Sequence, residues 1–406
     1  MHTFDKSHKL DRVCYDIRGP VMDEANRMLE RGEKIIRLNI GNPAPFGFRA
    51  PQAVIDRMAE NLTETEGYSD SKGLMDARRA IVAYCKSKAL PNVTENDVYT
   101  GNGVSELIVL AMQGLLNNGD EVLVPTPDYP LWTAAVTLAG GTAVHYVCDE
   151  QAEWNPDVAD MASKISPRTK AIVVINPNNP TGALYPKALL EQIVELARQH
   201  GLILFADEIY DRLVMDGYTH TALASLAPDL LTISLNGLSK SHLIAGFRCG
   251  WMALCGDKSH AKGYIEGLNL LSSMRLCSNV PAQSLIPAAL ANLEDTKKLL
   301  VPGGRIYEQR AYVLDAIRSI PGVSVVKPKA AFYMFPKLDE RFGIVDDERF
   351  VLDFLREKKI LFTQGTGFHW EKPDHFRLIY LPCIDELRIA IDALRDFLAT
   401  YRQGGE

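Results

Sequence analysis

The sequence predicts an α/β protein: a mostly parallel sheet covered by helices forms a large domain, and a second, smaller α/β domain accompanies it. Three observations carry this. With 406 residues, 47% of them hydrophobic, the chain holds more apolar material than one simple core uses. Between about residues 95 and 255, short β-branched runs alternate with segments whose apolar residues recur at three and four, the pattern of strands joined by crossover helices. After residue 300 this gives way to longer helix candidates around short strands.

The first 50 residues carry an amphipathic helix, roughly "PVMDEANRMLERG", and then "IIRLNIGNPAP". Residues 1–50 are assigned as an N-terminal arm and part of the small domain. The large domain, residues 51–299, contains the strand candidates "DVYT", "EVLVP", "TAVHYV", "AIVVIN", "LILFAD", "LTISLN" and "GWMALC". Between them lie helical segments such as "VSELIVLAMQGLL" and "KALLEQIVELARQH". Strands bounded in this way imply a sheet with both faces covered. Residues 300–406 form the C-terminal small domain, with helices over "GGRIYEQRAYVLDAIRSI", "ERFVLDFLREK" and "DELRIAIDALRDFLATYR" and strands at "VSVVKP" and "FRLIYL".

Composition excludes several classes. A net charge of -7, with lysine and arginine scattered along the chain, leaves no basic stripe for nucleic acid. No apolar run is long enough to suggest a membrane span, and "MHTFDKSHKL" lacks the apolar middle of a signal peptide; a cytoplasmic protein is expected. The seven cysteines (Cys14, Cys85, Cys148, Cys249, Cys255, Cys277, Cys383) contain no CxxC pair and read as buried, reduced thiols. The nine histidines are equally dispersed, with no HExxH, so no metal is expected.

Ligands bind open parallel sheets beyond the carboxyl ends of the strands. Three successive strands end in Asn-Pro-Asn-Asn-Pro-Thr-Gly (176–182), in Ala-Asp-Glu-Ile-Tyr (206–210) and in "NGLSKSHLIAGFRCG" (236–250), and these would line one crevice. The first reads either as an ordinary turn or as a site where the Asn179 amide supplies a donor and an acceptor. Asp207 would lie at the inner end of a buried strand, where a carboxylate calls for a nearby cation. Tyr210 returns its phenol to the same end. Lys240 sits among small residues, and Arg248 follows across the glycine of "AGFRCG", a second cation that binds an anion or depresses the lysine's pKa. "TGNGVSELIVL" is a strand, a glycine turn and a helix start, which suits an anion such as phosphate or simple capping. It is neither a Walker loop nor G-x-G-x-x-G. One ligand satisfies the whole inventory: pyridoxal 5'-phosphate (PLP), whose aldehyde condenses with a lysine, whose ring nitrogen needs an acid and whose phosphate needs fixed donors.

"NGLSKSHLIAGFRCG", "NPNNPTG" and "DEIY", in this order, closely resemble the class I PLP-dependent aminotransferases of fold type I, over nearly the whole chain. "YDIRGPV", "LNIGNPAPFGF", "GYSDSKGL", "YTGNGVSELI", "PDYPLWTAAV" and "MRLCSNVPAQ" are similar to the bacterial alanine (glutamate–pyruvate) aminotransferases. The resemblance implies that Lys240 holds the cofactor and later moves the substrate's α-proton, that Asp207 pairs with the ring nitrogen, and that Asn179 and Tyr210 bond its phenolic oxygen. It implies Tyr129 stacked on the ring, and Gly103, Val104, Ser105, Ser239 and Arg248 around the phosphate, with Tyr68 reaching that phosphate across a homodimer interface. Arg377 would fork onto the substrate's α-carboxylate, with Gly41 passing its backbone close by. Arg275 reads equally as a contact to glutamate or as an ordinary ion pair, and Cys249 as a packing change.

The implied reaction is reversible amino transfer from L-alanine to 2-oxoglutarate, with amino and 2-oxo acids as the small-molecule partners. Aspartate, aromatic or broad-specificity transfer, and β-elimination by a carbon–sulfur lyase, are served by the same fold. A transcription regulator with this domain is disfavoured because aminotransferase-like sequence begins almost at once. A purely structural protein would not need Lys240 and Asp207 at adjacent strand ends.

Overall fold

The structure, a computed structural model, describes residues 5–14, 19–294 and 296–403; residues 15–18, within the "YDIRGPV" stretch, lie outside the described residues. Its centre is an eight-stranded sheet made of β1 (Val98–Asn102), β2 (Glu121–Thr126), β3 (Thr142–Asp149), β4 (Asn155–Pro156), β5 (Thr169–Ile175), β6 (Ile203–Asp207), β7 (Thr232–Gly237) and β8 (Cys249–Cys255). The spatial order is β1-β8-β7-β6-β5-β2-β3-β4. β7, β6, β5, β2 and β3 are mutually parallel, whereas β8 runs antiparallel to both β7 and β1. The connection through residues 238–248 is too short for the crossover that a parallel pair needs.

Side chains alternate between two apolar cores, as the strand period of two requires. Ala171, Val173 and Ile175 of β5 face one core with Leu107, Ile108 and Met112 of the helix Val104–Leu115. Ile172 and Val174 face the other, with Leu190, Ile193 and Val194 of the helix Lys187–His200. Each fully buried aliphatic side chain contributes about 1.5–3 kcal/mol, so this double coverage makes the strand ends rigid supports. Gly201, left-handed at φ 62°, ends the second helix two residues before β6 begins at Ile203.

A third core joins the helices Arg305–Arg318, Asp347–Lys358 and Ile384–Thr400 with Val21, Ala25 and Met28 of the helix Pro20–Glu30. Ile36–Arg37 pairs in parallel with Ile360–Leu361. "VSVVKP" is a strand only over Val323–Ser324, because its antiparallel partner Lys337–Leu338 is equally short. A three-stranded sheet places Phe376–Ile379 between Tyr333–Met334 and Thr363–Gln364. Cys85, Cys148, Cys249 and Cys255 are buried, but Cys383 is exposed and Cys14 and Cys277 partly so, which corrects the expectation of uniform burial. Cys249 has its thiol pushed up to about 12 by burial, in keeping with a packing role.

Candidate active site

The carboxyl ends of β1, β2, β5, β6 and β7 and the start of β8 meet at one edge of the sheet, over a cavity of about 310 Å³. Gly41, Val104, Ser105, Tyr129, Asn179, Asp207, Tyr210, Ser239, Lys240, Arg248 and Arg377 line it together with Ile40, Ile175, Ile209, Ala245 and Tyr333. Gly103 and Tyr68 are not among the lining residues. The edge therefore gathers nearly all the residues singled out in the sequence.

Asp207 ends β6 between Ile175 of β5 and Leu235 of β7. Burial pushes its carboxyl up from 3.8 to about 6, and a hydrogen bond from Trp132 Nε1 at 3.0 Å opposes that rise. The Ile209 amide adds a long contact at 3.4 Å. The expected cation is not supplied: among the described residues no Lys, Arg or His forms an ion pair with Asp207. Its protein partners are neutral N–H groups, so a ligand's protonated nitrogen would complete this carboxylate.

Lys240 lies in the short helix Leu238–Ser241 directly after β7, half-buried, and its Nζ donates to the Gly41 carbonyl at 2.7 Å. The small residues around it have a steric cause. A Cβ on Gly237 would strike the backbone of Cys249 and Gly250, and one on Gly250 would strike Gly103 and the Val104 amide. Strand and helix ends thus approach backbone to backbone.

Gly103, at φ 79°, turns the chain into the helix Val104–Leu115 and aims that helix's N-terminus at the cavity. The Arg248 guanidinium lies where a Gly103 side chain would be, and bonds the carbonyls of Ala245 (2.8 Å) and Asn102 (3.3 Å). The left-handed residue in "AGFRCG" is Arg248 itself, at φ 57°. Gly246 is not the hinge that the sequence suggested.

The "NPNNPTG" turn is closed by Asn178, whose Oδ1 accepts from Thr181 N and Oγ1 at 3.2 and 2.8 Å. This leaves Asn179 to face the cavity, where its Oδ1 accepts from Arg377 Nη1 at 2.9 Å. Arg377 also bonds the Asn39 carbonyl, and its guanidinium lies 4.7 Å from the Tyr333 ring and 4.5 Å from Phe368. The Tyr333 hydroxyl is 2.7 Å from that of Tyr210 and occupies the space a Gly41 side chain would need. That contact explains the glycine at position 41.

Arg275 pairs with Glu106 and donates to the carbonyls of Ser71 (3.1 Å) and Thr100 (2.6 Å), the ordinary ion-pair arrangement. Trp132 and Tyr333 belong to the site without a sequence signal that marks them. Each lies in an aromatic, apolar stretch, "YPLWTAAV" and "AAFYMF", whose only sequence signal is that of a core.

Asp128, His145 and His369 bring one potential metal ligand each within 4.8 Å. The two imidazoles stack with centroids 4.9 Å apart and planes 23° apart. A cation cannot lie in both ring planes in that arrangement, and the group reads as a hydrogen-bonded chain.

Fold and site together define an aminotransferase: the family model "Aminotransferase class I and II" matches residues 33–394, and the chain belongs to that family. It is 59% identical over 404 residues to the glutamate-pyruvate aminotransferase AlaA of Haemophilus influenzae, covering 99% of this chain and 100% of that one. An aminotransferase structure from Escherichia coli superposes with a TM-score of 0.98 at 57% identity, covering 99% of this chain and 100% of that one. The alanine aminotransferase of Pyrococcus furiosus gives 0.91 at 38% identity, covering 97% of this chain and 100% of that one.

Proposed function

We propose that this chain is a PLP-dependent alanine aminotransferase, moving an amino group reversibly from L-alanine to 2-oxoglutarate to give pyruvate and L-glutamate. The observation that carries the reading is the cavity itself, where Lys240 and a buried carboxylate without a cation, Asp207, stand at neighbouring strand ends beneath a helix N-terminus. The names of the relatives at high identity support the substrate pair.

PLP held there supplies an aldehyde for the substrate's amine and a ring that accepts the electron pair released at Cα. Lys240, its amine held at the cavity by the Gly41 carbonyl, would take the proton from the substrate's Cα and deliver it to the cofactor's C4'. Asp207 keeps the ring nitrogen protonated, with Trp132 favouring its ionised form. Tyr210 and Asn179 would bond the phenolic oxygen, and Tyr129 would lie against the ring. The amides of Val104 and Ser105, with Ser239 and Arg248, would bind the phosphate, whereas the Gly103 amide, expected among these donors, is turned to the Gly101 carbonyl at 2.7 Å. Arg377, steadied by Asn179 and the Asn39 carbonyl, binds the α-carboxylate beside Gly41.

Tyr68 is 82% exposed in the isolated chain, and Met274 and Leu276, which flank Arg275, are exposed as well. An apolar surface of this kind suits a homodimer in which Tyr68 completes the partner's phosphate site. The domain limits near residues 50 and 300 belong to the same proposal, as does a cytoplasmic location. No helix among the described residues is long and apolar enough to cross a membrane.

The test is a coupled assay for pyruvate. Formation from alanine that depends on 2-oxoglutarate supports the reading. Pyruvate and ammonia from cystathionine without any oxo acid would replace it with a lyase.

A further inference from the structure

Beside the cavity, the loop that carries Tyr129 is tied to the smaller domain at one point. Asp128, fully buried and immediately before Tyr129, accepts from Thr133 Oγ1 at 2.7 Å and from His369 Nδ1 at 2.7 Å. His145 Nε2 lies 2.9 Å from Thr133 Oγ1, which leads the chain of hydrogen bonds to a second imidazole. Two further bonds cross the same gap, from the Asp128 amide to the Phe368 carbonyl (3.0 Å) and from Thr126 Oγ1 to the His369 carbonyl (2.6 Å).

On the other side, the turn holding His369 is itself anchored. Thr366 bonds Asp347 through its amide (2.8 Å) and its hydroxyl (2.6 Å). The turn follows the strand Thr363–Gln364, which pairs residue by residue with the strand that carries Arg377. Phe368, next to His369, places its ring 4.5 Å from the Arg377 guanidinium. A displacement of this turn therefore moves the wall against which Arg377 packs, and a displacement of Asp128 moves Tyr129.

We propose that the Asp128–His369 pair is a positioning latch that holds Tyr129 and the Phe368–Arg377 contact in fixed relation, so that the site grips its cofactor and the substrate's α-carboxylate together. This rests on the roles assigned above to Tyr129 and Arg377. Neither latch residue lines the cavity; both act through their neighbours. The interaction is a buried hydrogen bond to a carboxylate, whose loss costs enough to shift a binding equilibrium about tenfold.

The test compares His369→Leu, which removes the donor, with His369→Asn, whose amide nitrogen can take the place of Nδ1. Both lose the stack on His145, but His369 is left-handed at φ 57°, which asparagine adopts more readily than leucine. The hydrogen bond is therefore reported only where Asp128→Asn, which leaves that backbone untouched, shifts the same constants as His369→Leu. The measurements are the PLP dissociation constant, KM and kcat for alanine and 2-oxoglutarate, and the melting temperature. The latch requires His369→Leu to weaken PLP binding about tenfold and to raise KM for both substrates more than it lowers kcat, while His369→Asn stays within a few-fold of the wild type. Equal behaviour of the two variants, or a leucine variant with wild-type constants, overturns it. If the leucine variant does not fold, Asp128→Asn, which keeps size but loses the charge, must shift the same constants in the same direction; unchanged constants overturn the latch. A wild-type protein that takes up no PLP overturns the proposed function as well, whereas a fully active wild type with an unaffected leucine variant refutes the latch alone.

Discussion

Trp132→Phe should convert Asp207 from a carboxylate that is mostly ionised at neutral pH into one that is mostly protonated. Burial holds Asp207 at about 6 against its ordinary 3.8, and the Trp132 indole at 3.0 Å is the larger of the two contacts that oppose the rise. A hydrogen bond to a buried charged group contributes roughly 1.5–3 kcal/mol, or about one to two pH units of titration. Removing it carries the midpoint above 7. The sign follows from linkage: a carboxyl raised in the folded state costs native stability once ionised, a cost absent below its unfolded value and complete above its folded one. The variant extends that window upward. Loss of indole volume beside Phe205, 5.7 Å away, adds a destabilisation that does not depend on pH, so only the pH-dependent part reports Asp207. The assay is the PLP dissociation constant from pH 6 to 9. We expect binding about two- to fifteenfold weaker than wild type at pH 7 for a loss of roughly 1.5–3 kcal/mol, with the gap narrowing toward pH 9 as both carboxyls ionise. A gap that is constant across that range, or no gap at all, refutes the reasoning.

Other outcomes follow from the same geometry. Lys240→Ala should abolish turnover while the protein keeps its fold, checked by activity and circular dichroism; residual wild-type activity would remove Lys240 as the base. Arg377→Lys should raise KM about tenfold or more for amino and oxo acids alike, because lysine loses the fork that reaches a carboxylate and Asn179 together; an effect on one substrate alone places the clamp elsewhere. Tyr68→Phe should weaken PLP binding several-fold, and mixing it with Lys240→Ala should restore part of the activity through hybrid dimers. No recovery in the mixture would mean that the site is not shared.

The strands were legible because each is a β-branched run bounded by turn residues, and "AIVVIN", "LILFAD" and "LTISLN" became the adjacent β5, β6 and β7. Once the strands are parallel neighbours, their following polar residues must converge, which is why Asn179, Asp207 and Lys240 could be grouped from sequence. The helix Leu131–Leu138 was not anticipated: "LWTAAVTL" is apolar almost throughout and shows no helical period. Trp132 was hidden with it. Tyr333 was hidden differently, since its hydroxyl meets Tyr210 only through a contact between residues 123 positions apart. The latch was equally invisible, because Asp128 and His369 are 241 positions apart and nothing in "PDYPLWTAAV", which holds Asp128, points to a histidine so far along the chain.

The most direct test of the central claim is the visible absorption spectrum of the purified protein with PLP, recorded before and after alanine and then after 2-oxoglutarate. The account predicts a yellow protein whose lysine-linked band bleaches with alanine and returns with 2-oxoglutarate. A yellow protein unmoved by alanine would contradict the alanine assignment, and a protein that cannot take up PLP would contradict the site itself.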